Sequence, residues 1–193
     1  MQLRMVPSVM IALLLAGCVH QSAVKSVELL DERTGATMGA LQEPIAFIET
    51  GLIALLATSP QQASIIYLGP VEWDRSGKYT YGLWIQVAPG VGGHRLDDIR
   101  ARGAVTLKLD DGSVTLSTID LPNEARSPYS PMVPWGQTAY FAIDVAMLKR
   151  MAATKKIALN VRAADLTMVE FIPFQETNTA LTRFMHERGI RVD

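Results

Sequence analysis

Apolar and polar residues alternate along two segments in the middle of the chain, 78–87 and 105–116. A period of two indicates strands with one buried face. In the second segment Asp111-Gly112 predicts a two-residue hairpin turn, because glycine accepts a positive φ at little cost. Turn residues at 74–77 separate the first segment from another β-rich stretch at 65–73. The pattern therefore predicts paired strands through this region.

The C-terminal third adds two helical patterns. Asp144 is placed to cap a helix, because its carboxylate can accept free N–H groups of the first turn. Apolar residues then recur at helical spacing over 145–152. A second helix is predicted from about Asn178 to Arg188, ending at Gly189. Further strands are predicted at 137–143, 157–163 and 166–172.

The order of these elements predicts an α+β fold. A run of strands, the first of them at 26–33, precedes a strand–helix–strand–strand–helix series, and such segregation is typical of an antiparallel sheet. We predict one domain over 26–193, with an antiparallel sheet and two helices in the C-terminal third. The pattern leaves open whether the sheet folds into a sandwich-like arrangement. The alternative is an all-β sandwich with two appended helices. The apolar stretch 45–57 is compatible with either a buried helix or strands.

The start of the chain has the pattern of an export signal. Arg4 lies beside the amino terminus, an apolar run covers 5–16, and the small residues Ala16 and Gly17 precede Cys18. A short positive head, an apolar core and a small-residue cut site are typical of a secretory signal. The core is too short to span a bilayer, which needs about 20 apolar residues.

The cut site Leu15-Ala16-Gly17-Cys18 resembles the lipobox of bacterial lipoproteins. In that family the cysteine receives a diacylglyceryl group, the chain is cut before it, and the new amino group is acylated. The resemblance implies a signal peptide over 1–17, a lipidated Cys18 that anchors the chain to a membrane, and a tether over 18–25. Lipoproteins kept in the inner membrane commonly carry Asp after the cysteine. Val19 stands there instead, which implies the outer membrane, facing the periplasm.

A second resemblance covers a small part of the mature chain. The stretch Tyr67-Leu68-Gly69-Pro70-Val71-Glu72, followed by Gly77, Tyr79, Tyr81, Leu83 and Trp84, is similar to a pattern in small Gram-negative lipoproteins. No activity is attached to that pattern. The resemblance therefore implies an envelope lipoprotein and no particular reaction.

Composition and missing motifs narrow the functional classes. The chain has 18 basic and 19 acidic residues without a run of like charge, so we do not expect it to bind nucleic acid. Its single cysteine, once lipidated, leaves no thiol for a disulfide, a nucleophile or a metal site. The glycines of 89–93 lack the Gly-Lys-Ser/Thr of a phosphate loop, and no Gly-x-Ser-x-Gly elbow occurs. We expect no cofactor and no bound metal.

Two segments carry candidate functional residues. His94 follows the glycine-rich loop and precedes Asp97 and Asp98, and a histidine beside carboxylates can ligate a metal or act as a base. The simpler interpretation of that segment is a solvated loop, since no second His or Cys lies at ligand spacing. The other segment, 126–136, contains three prolines and therefore cannot be a central strand. Its large side chains either cap the core or contact a partner; they are Tyr129, Met132 and Trp135.

Two functional hypotheses follow. The favoured one is a non-enzymatic accessory or scaffold lipoprotein that binds an envelope protein through the proline-rich loop. The alternative is an envelope hydrolase acting on glycan or peptide, with its site at His94, Asp97 and Asp98. Convergent polar groups in a pocket at His94 would favour the hydrolase, and exposed apolar side chains around Trp135 would favour the binding protein.

Overall fold

The computed structural model describes residues 25–51, 63–91, 94–120, 127–174 and 176–191. The predicted signal peptide, Cys18 and most of the tether lie outside the described residues. In the described ranges the chain forms eleven strands and two helices. The strands are β1 (Ser26–Asp31), β2 (Ala36–Leu41), β3 (Ile45–Glu49), β4 (Ile65–Arg75), β5 (Lys78–Ala88), β6 (Val105–Leu109), β7 (Gly112–Thr115), β8 (Thr118–Ile119), β9 (Gln137–Ile143), β10 (Ala158–Arg162) and β11 (Met168–Pro173). The helices are α1 (Val145–Ala153) and α2 (Thr177–Glu187).

These strands form one antiparallel sheet. Its path runs β7-β6-β10-β11-β3-β4-β5-β9-β8, and the β1–β2 pair joins β4 as a branch. Strand β4 is 11 residues long, so it pairs with β3 along its first half and with β2 along its second half. Only Leu116 and Ser117 separate β7 from β8, the two ends of the path, and the sheet therefore curls into a half-barrel around the core. The α+β class with an antiparallel sheet and two C-terminal helices is confirmed; a sandwich-like arrangement is not.

The hairpin between β4 and β5 confirms the turn at 74–77. Ser76 and Gly77 have φ values of 56° and 80°, which is typical of a type I′ turn. The N–H of Gly77 also donates to Asp74 Oδ1 at 2.7 Å. The predicted half-buried face is wrong beyond Tyr81, however, because Trp84 and Gln86 are as buried as their neighbours. The loop at 127–136 covers that second face of β5.

The hairpin of β6 and β7 forms as predicted, but its turn lies one residue earlier. Leu109 pairs with Gly112, so the two loop residues are Asp110 and Asp111 rather than Asp111 and Gly112. Tertiary contacts explain the shift. The Asp110 carboxylate accepts the N–H groups of Lys155 and Lys156 at 2.7 and 3.1 Å, which ties the turn to the chain after α1.

Local interactions define the start of α1 and the end of α2. Asp144 Oδ1 accepts the N–H of Met147 at 2.7 Å, as predicted for the start of α1. After α2, Gly189 adopts a φ of 68°, and the next N–H, that of Ile190, donates to the Met185 carbonyl at 2.8 Å. This left-handed termination is the one that glycine permits. Neither described helix has the length and apolar content needed to cross a membrane.

The core fills the inside of the curled sheet and is closed by the helices. Its largest fully buried side chains include aromatic residues from β3, β5, β9, β11 and α2; they are Phe47, Trp84, Phe141, Phe171 and Phe184. The predicted first strand at 26–33 is observed as β1. The ambiguous stretch 45–57 begins as strand β3, and residues 52–57 lie outside the described ranges.

An ion-pair cluster ties the end of α2 to the branch strands. The Nε and Nη2 atoms of Arg188 both lie 2.8 Å from Oε1 of the buried Glu72, and Nη1 lies 2.8 Å from Glu28 Oε2. Gly39 makes room for this arginine, since a Cβ there would lie 2.5 Å from Arg188 Nε. The backbone N–H of Ser26, at the start of β1, donates to Glu187 Oε2 at 2.9 Å. The point where the predicted tether joins the domain is therefore held by α2.

Candidate functional site

The proline-rich loop is rooted in the core by Tyr129. Its hydroxyl donates to the Pro70 carbonyl at 3.0 Å and accepts the N–H of Leu41 at 2.9 Å. Its ring stacks on Trp84 with centroids 5.0 Å apart. Burial raises the pKa of Tyr129 well above its ordinary value, so the hydroxyl remains protonated and able to donate. Tyr129 therefore belongs to the core and does not form part of an accessible surface.

Gly69 creates the space that this ring occupies. A Cβ at position 69 would lie 2.2 Å from Cζ of Tyr129, so any larger residue on β4 would expel the tyrosine. The loop therefore depends on a strand glycine where a ring approaches the backbone closely.

A buried glutamine holds the middle of the loop. Gln86 is fully buried on β5; its Oε1 accepts the N–H of Met132 at 2.6 Å and its Nε2 donates to the Val133 carbonyl at 2.8 Å. Gly136 packs against the same amide, since a Cβ there would lie 2.7 Å from Gln86 Nε2. These bonds satisfy a polar side chain in the core and fix the loop backbone.

The two remaining large side chains of the loop point away from the core. Met132 is 51% exposed and Trp135 is 68% exposed, whereas Trp73 and Trp84 are buried. We call Met132 and Trp135 the exposed loop face. Beside it, a cleft is lined by Asp98, Arg100, Gly136, Gln137 and Thr138. The structure thus separates the three predicted loop residues, with Tyr129 in the core and the other two in solvent.

The second candidate region contains a pair that the sequence did not indicate. His94 Nδ1 lies 2.6 Å from Oε1 of Glu49, the last residue of β3. The carboxylate is buried, and the imidazole is 44% exposed. The other carboxylate oxygen, Oε2, is buried without a hydrogen-bond partner in the described structure. Glu49 lies on the same buried face of β3 as Ile45 and Phe47. A charged residue in line with buried apolar residues is the feature of the sequence from which this position could have been found.

Backbone pairing positions His94 beside the end of β10. The N–H of Ala164 donates to the Arg95 carbonyl at 2.8 Å, and the N–H of Asp97 donates to the Arg162 carbonyl at 2.9 Å. Asp165 follows in this stretch, and its pKa is lowered mainly by hydrogen bonds from Thr167 and to a lesser extent by the charge of His94. The chain next to His94 is therefore held against the end of β10.

The predicted carboxylates Asp97 and Asp98 do not join His94. Asp97 Oδ2 lies 2.8 Å from Arg162 Nη2, and hydrogen bonding from Arg162 lowers the pKa of Asp97. Asp98 Oδ1 accepts the N–H of Arg100 at 2.9 Å. Both side chains thus fasten the segment after His94. Among the described residues, no three His, Cys, Asp or Glu side chains are grouped so that they could hold a metal ion.

Comparison with known proteins adds no relative. No protein-family model, curated protein or solved structure matches the chain.

Proposed function

We propose that this protein is an exported lipoprotein, anchored through Cys18 at the periplasmic side of the outer membrane, that acts as an accessory or scaffold protein. In this proposal it binds an envelope protein through the exposed loop face. The observation that carries the proposal is the 68% exposure of Trp135 on a loop whose backbone is fixed from the core. Tryptophan is the residue most typical of binding hot spots.

Rigidity of the loop supports binding. Four hydrogen bonds hold the loop: the Tyr129 hydroxyl bonds to Leu41 and Pro70 outside the loop, and the Gln86 amide bonds to the loop backbone at Met132 and Val133. A surface that is already ordered loses little conformational entropy when a partner docks. Trp135 also offers a large apolar area with few rotatable bonds. An exposed tryptophan on such a support is better suited to contact than one on a mobile segment.

The tether restricts where the partner lies. Strand β1 begins at Ser26, so only the seven residues from Val19 to Lys25 separate the domain from the proposed anchor. Fully extended, they reach about 25 Å. The partner in this proposal is therefore a protein at or near the same membrane surface.

Trp135→Ala tests the exposed loop face. We expect the free energy of unfolding to change by less than about 0.5 kcal/mol, because the side chain is largely in solvent. The loss of a hot-spot tryptophan should weaken partner binding by about 2 kcal/mol, which is roughly 30-fold in Kd. Crosslinking in the native envelope followed by mass spectrometry identifies the partner, and co-purification measures its loss.

Tyr79→Ala is the matched control. Tyr79 is also an exposed aromatic residue, but it lies at the tip of the β4–β5 hairpin. This variant should keep both its stability and its partner. Equal recovery of crosslinked proteins from Trp135→Ala and the unchanged protein would contradict the proposal.

Cys18→Ser tests the anchor. Without the thiol no diacylglyceryl group can be attached, so we expect no labelling by a radioactive or clickable fatty acid and an uncut precursor on gels. Sucrose-gradient fractionation of the unchanged protein should place it with outer-membrane markers. Acyl labelling of Cys18→Ser, or recovery of the unchanged protein with the inner membrane, would argue against this part of the proposal.

A further inference from the structure

The pair formed by Glu49 and His94 has no part in the proposed binding role. Glu49 is buried, one of its carboxylate oxygens contacts His94 Nδ1 at 2.6 Å, and the other has no hydrogen-bond partner in the part of the chain that the structure describes. A buried polar atom without a protein partner costs stability, and a catalytic role of the side chain is one explanation for such an atom. The pair therefore requires an explanation other than packing.

The contact determines which nitrogen of His94 is reactive. When Glu49 is ionised its carboxylate can only accept, so Nδ1 donates to it and a neutral ring has its lone pair on Nε2. The imidazole is 44% exposed, and no hydrogen bond to Nε2 is seen among the described residues. We propose that His94 is a general base that activates water for the hydrolysis of uncharged acyl esters, with Glu49 as the residue that positions it.

The charges around the pair favour an uncharged substrate. Glu49 and Asp165 both place negative charge near His94, whereas Asp97 is paired with Arg162. Arg95, the next residue, is exposed and carries the opposite charge, so the two carboxylates disfavour an anion only where they lie closer to it than Arg95 does. Most glycoside hydrolases use two carboxyl groups that flank the scissile bond, and both Asp97 and Asp98 are engaged in holding their own segment. An ester requires only an activated water and a leaving alcohol.

The proposed step is balanced by water alone. As the water oxygen bonds to the acyl carbon, His94 Nε2 takes one of its protons and the carbonyl electrons move to oxygen. When these electrons return, the bond between the acyl carbon and the alcohol oxygen breaks, and the imidazolium returns its proton to the alkoxide. The products are one carboxylic acid and one alcohol. Glu49 keeps the ring oriented and stabilises its positive charge between the two transfers.

Hydrolysis of p-nitrophenyl acetate by the full chain in detergent tests the base. General-base catalysis contributes about 10²–10⁴-fold, so we expect the protein-dependent rate to fall at least tenfold in His94→Gln and in Glu49→Gln. His186→Gln is the matched control, because His186 is an exposed histidine on α2. It should leave the rate unchanged.

A second measurement separates a positioning role from a structural one. Two-bond ¹H–¹⁵N correlation spectra should show His94 with a protonated Nδ1 and an unprotonated Nε2, and the two tautomers should mix in Glu49→Gln. If Glu49→Gln unfolds, the proposal is still tested by the tautomer of His94 in the unchanged protein and by the hydrolysis rate of His94→Gln. A rate in His94→Gln equal to that of the unchanged protein, or a proton on Nε2 of the neutral ring, would overturn the proposal and leave the pair as a latch for the loop.

Discussion

Tyr129→Ala should lower the free energy of unfolding by about 3–5 kcal/mol, the range for removal of a buried aromatic ring. The ring stacks on Trp84 and fills the space left by Gly69, so its loss opens a cavity that the rigid strands cannot close. The N–H of Leu41 also loses its acceptor. Urea denaturation followed by circular dichroism measures the effect.

Two further variants complete this test. One separates the contribution of the ring from that of the hydroxyl, and the other is a control at an exposed tyrosine. Tyr129→Phe keeps the stacking but leaves the Leu41 N–H and the Pro70 carbonyl without the hydroxyl, so we expect a cost of about 1–3 kcal/mol. Tyr79→Ala removes an exposed tyrosine and should cost less than about 0.5 kcal/mol. If Tyr129→Ala cost no more than Tyr79→Ala, the loop would not be rooted in the core as described.

Arg188→Ala should cost about 3–5 kcal/mol, because it leaves the buried carboxylate of Glu72 without its cation. Two nitrogens of the arginine contact the same Glu72 oxygen. Loss of the guanidinium should also loosen the contact between α2 and the branch strands. Thermal and urea unfolding of the variant measure the cost.

Glu28→Ala is the control for this cluster. Glu28 binds the same arginine, but its side chain is 63% exposed, so its removal should cost about 0–1 kcal/mol. The double variant Glu72→Leu with Arg188→Leu should recover part of the loss, since no buried charge then remains. An Arg188→Ala variant as stable as Glu28→Ala would show that Glu72 does not depend on Arg188.

Local patterns predicted most of the secondary structure correctly. The turn at 74–77, the cap at Asp144 and the termination at Gly189 were predictable because each depends on residues within one turn of chain. The turn between β6 and β7, by contrast, also bonds to distant residues. Contacts from Lys155 and Lys156 accompany the hairpin turn at Asp110 and Asp111, one residue from the position that glycine preference favours.

The residues of the candidate site were less predictable from the sequence than the secondary structure was. Alternation along β5 indicated one buried face, but the proline-rich loop also buries the other face. That loop starts about forty residues later in the chain, so the sequence of the strand alone could not predict the second buried face. In the same way, His94 was visible as a candidate, whereas its partner Glu49 comes from a strand 45 residues earlier. Asp97 and Asp98 are neighbours of His94 in the chain, yet their side chains bond elsewhere.

The sequence by itself determined the class of fold, the turn at 74–77, the cap at Asp144 and the prediction of a lipid anchor at Cys18, which lies outside the described residues. Periodicity and capping are local properties, so they can be read without knowing the rest of the molecule. Only the tertiary structure decided that Tyr129 is buried while Trp135 is exposed, and that Glu49 meets His94. Burial and side-chain partners depend on which distant segments pack together, and that is set by the curl of the whole sheet.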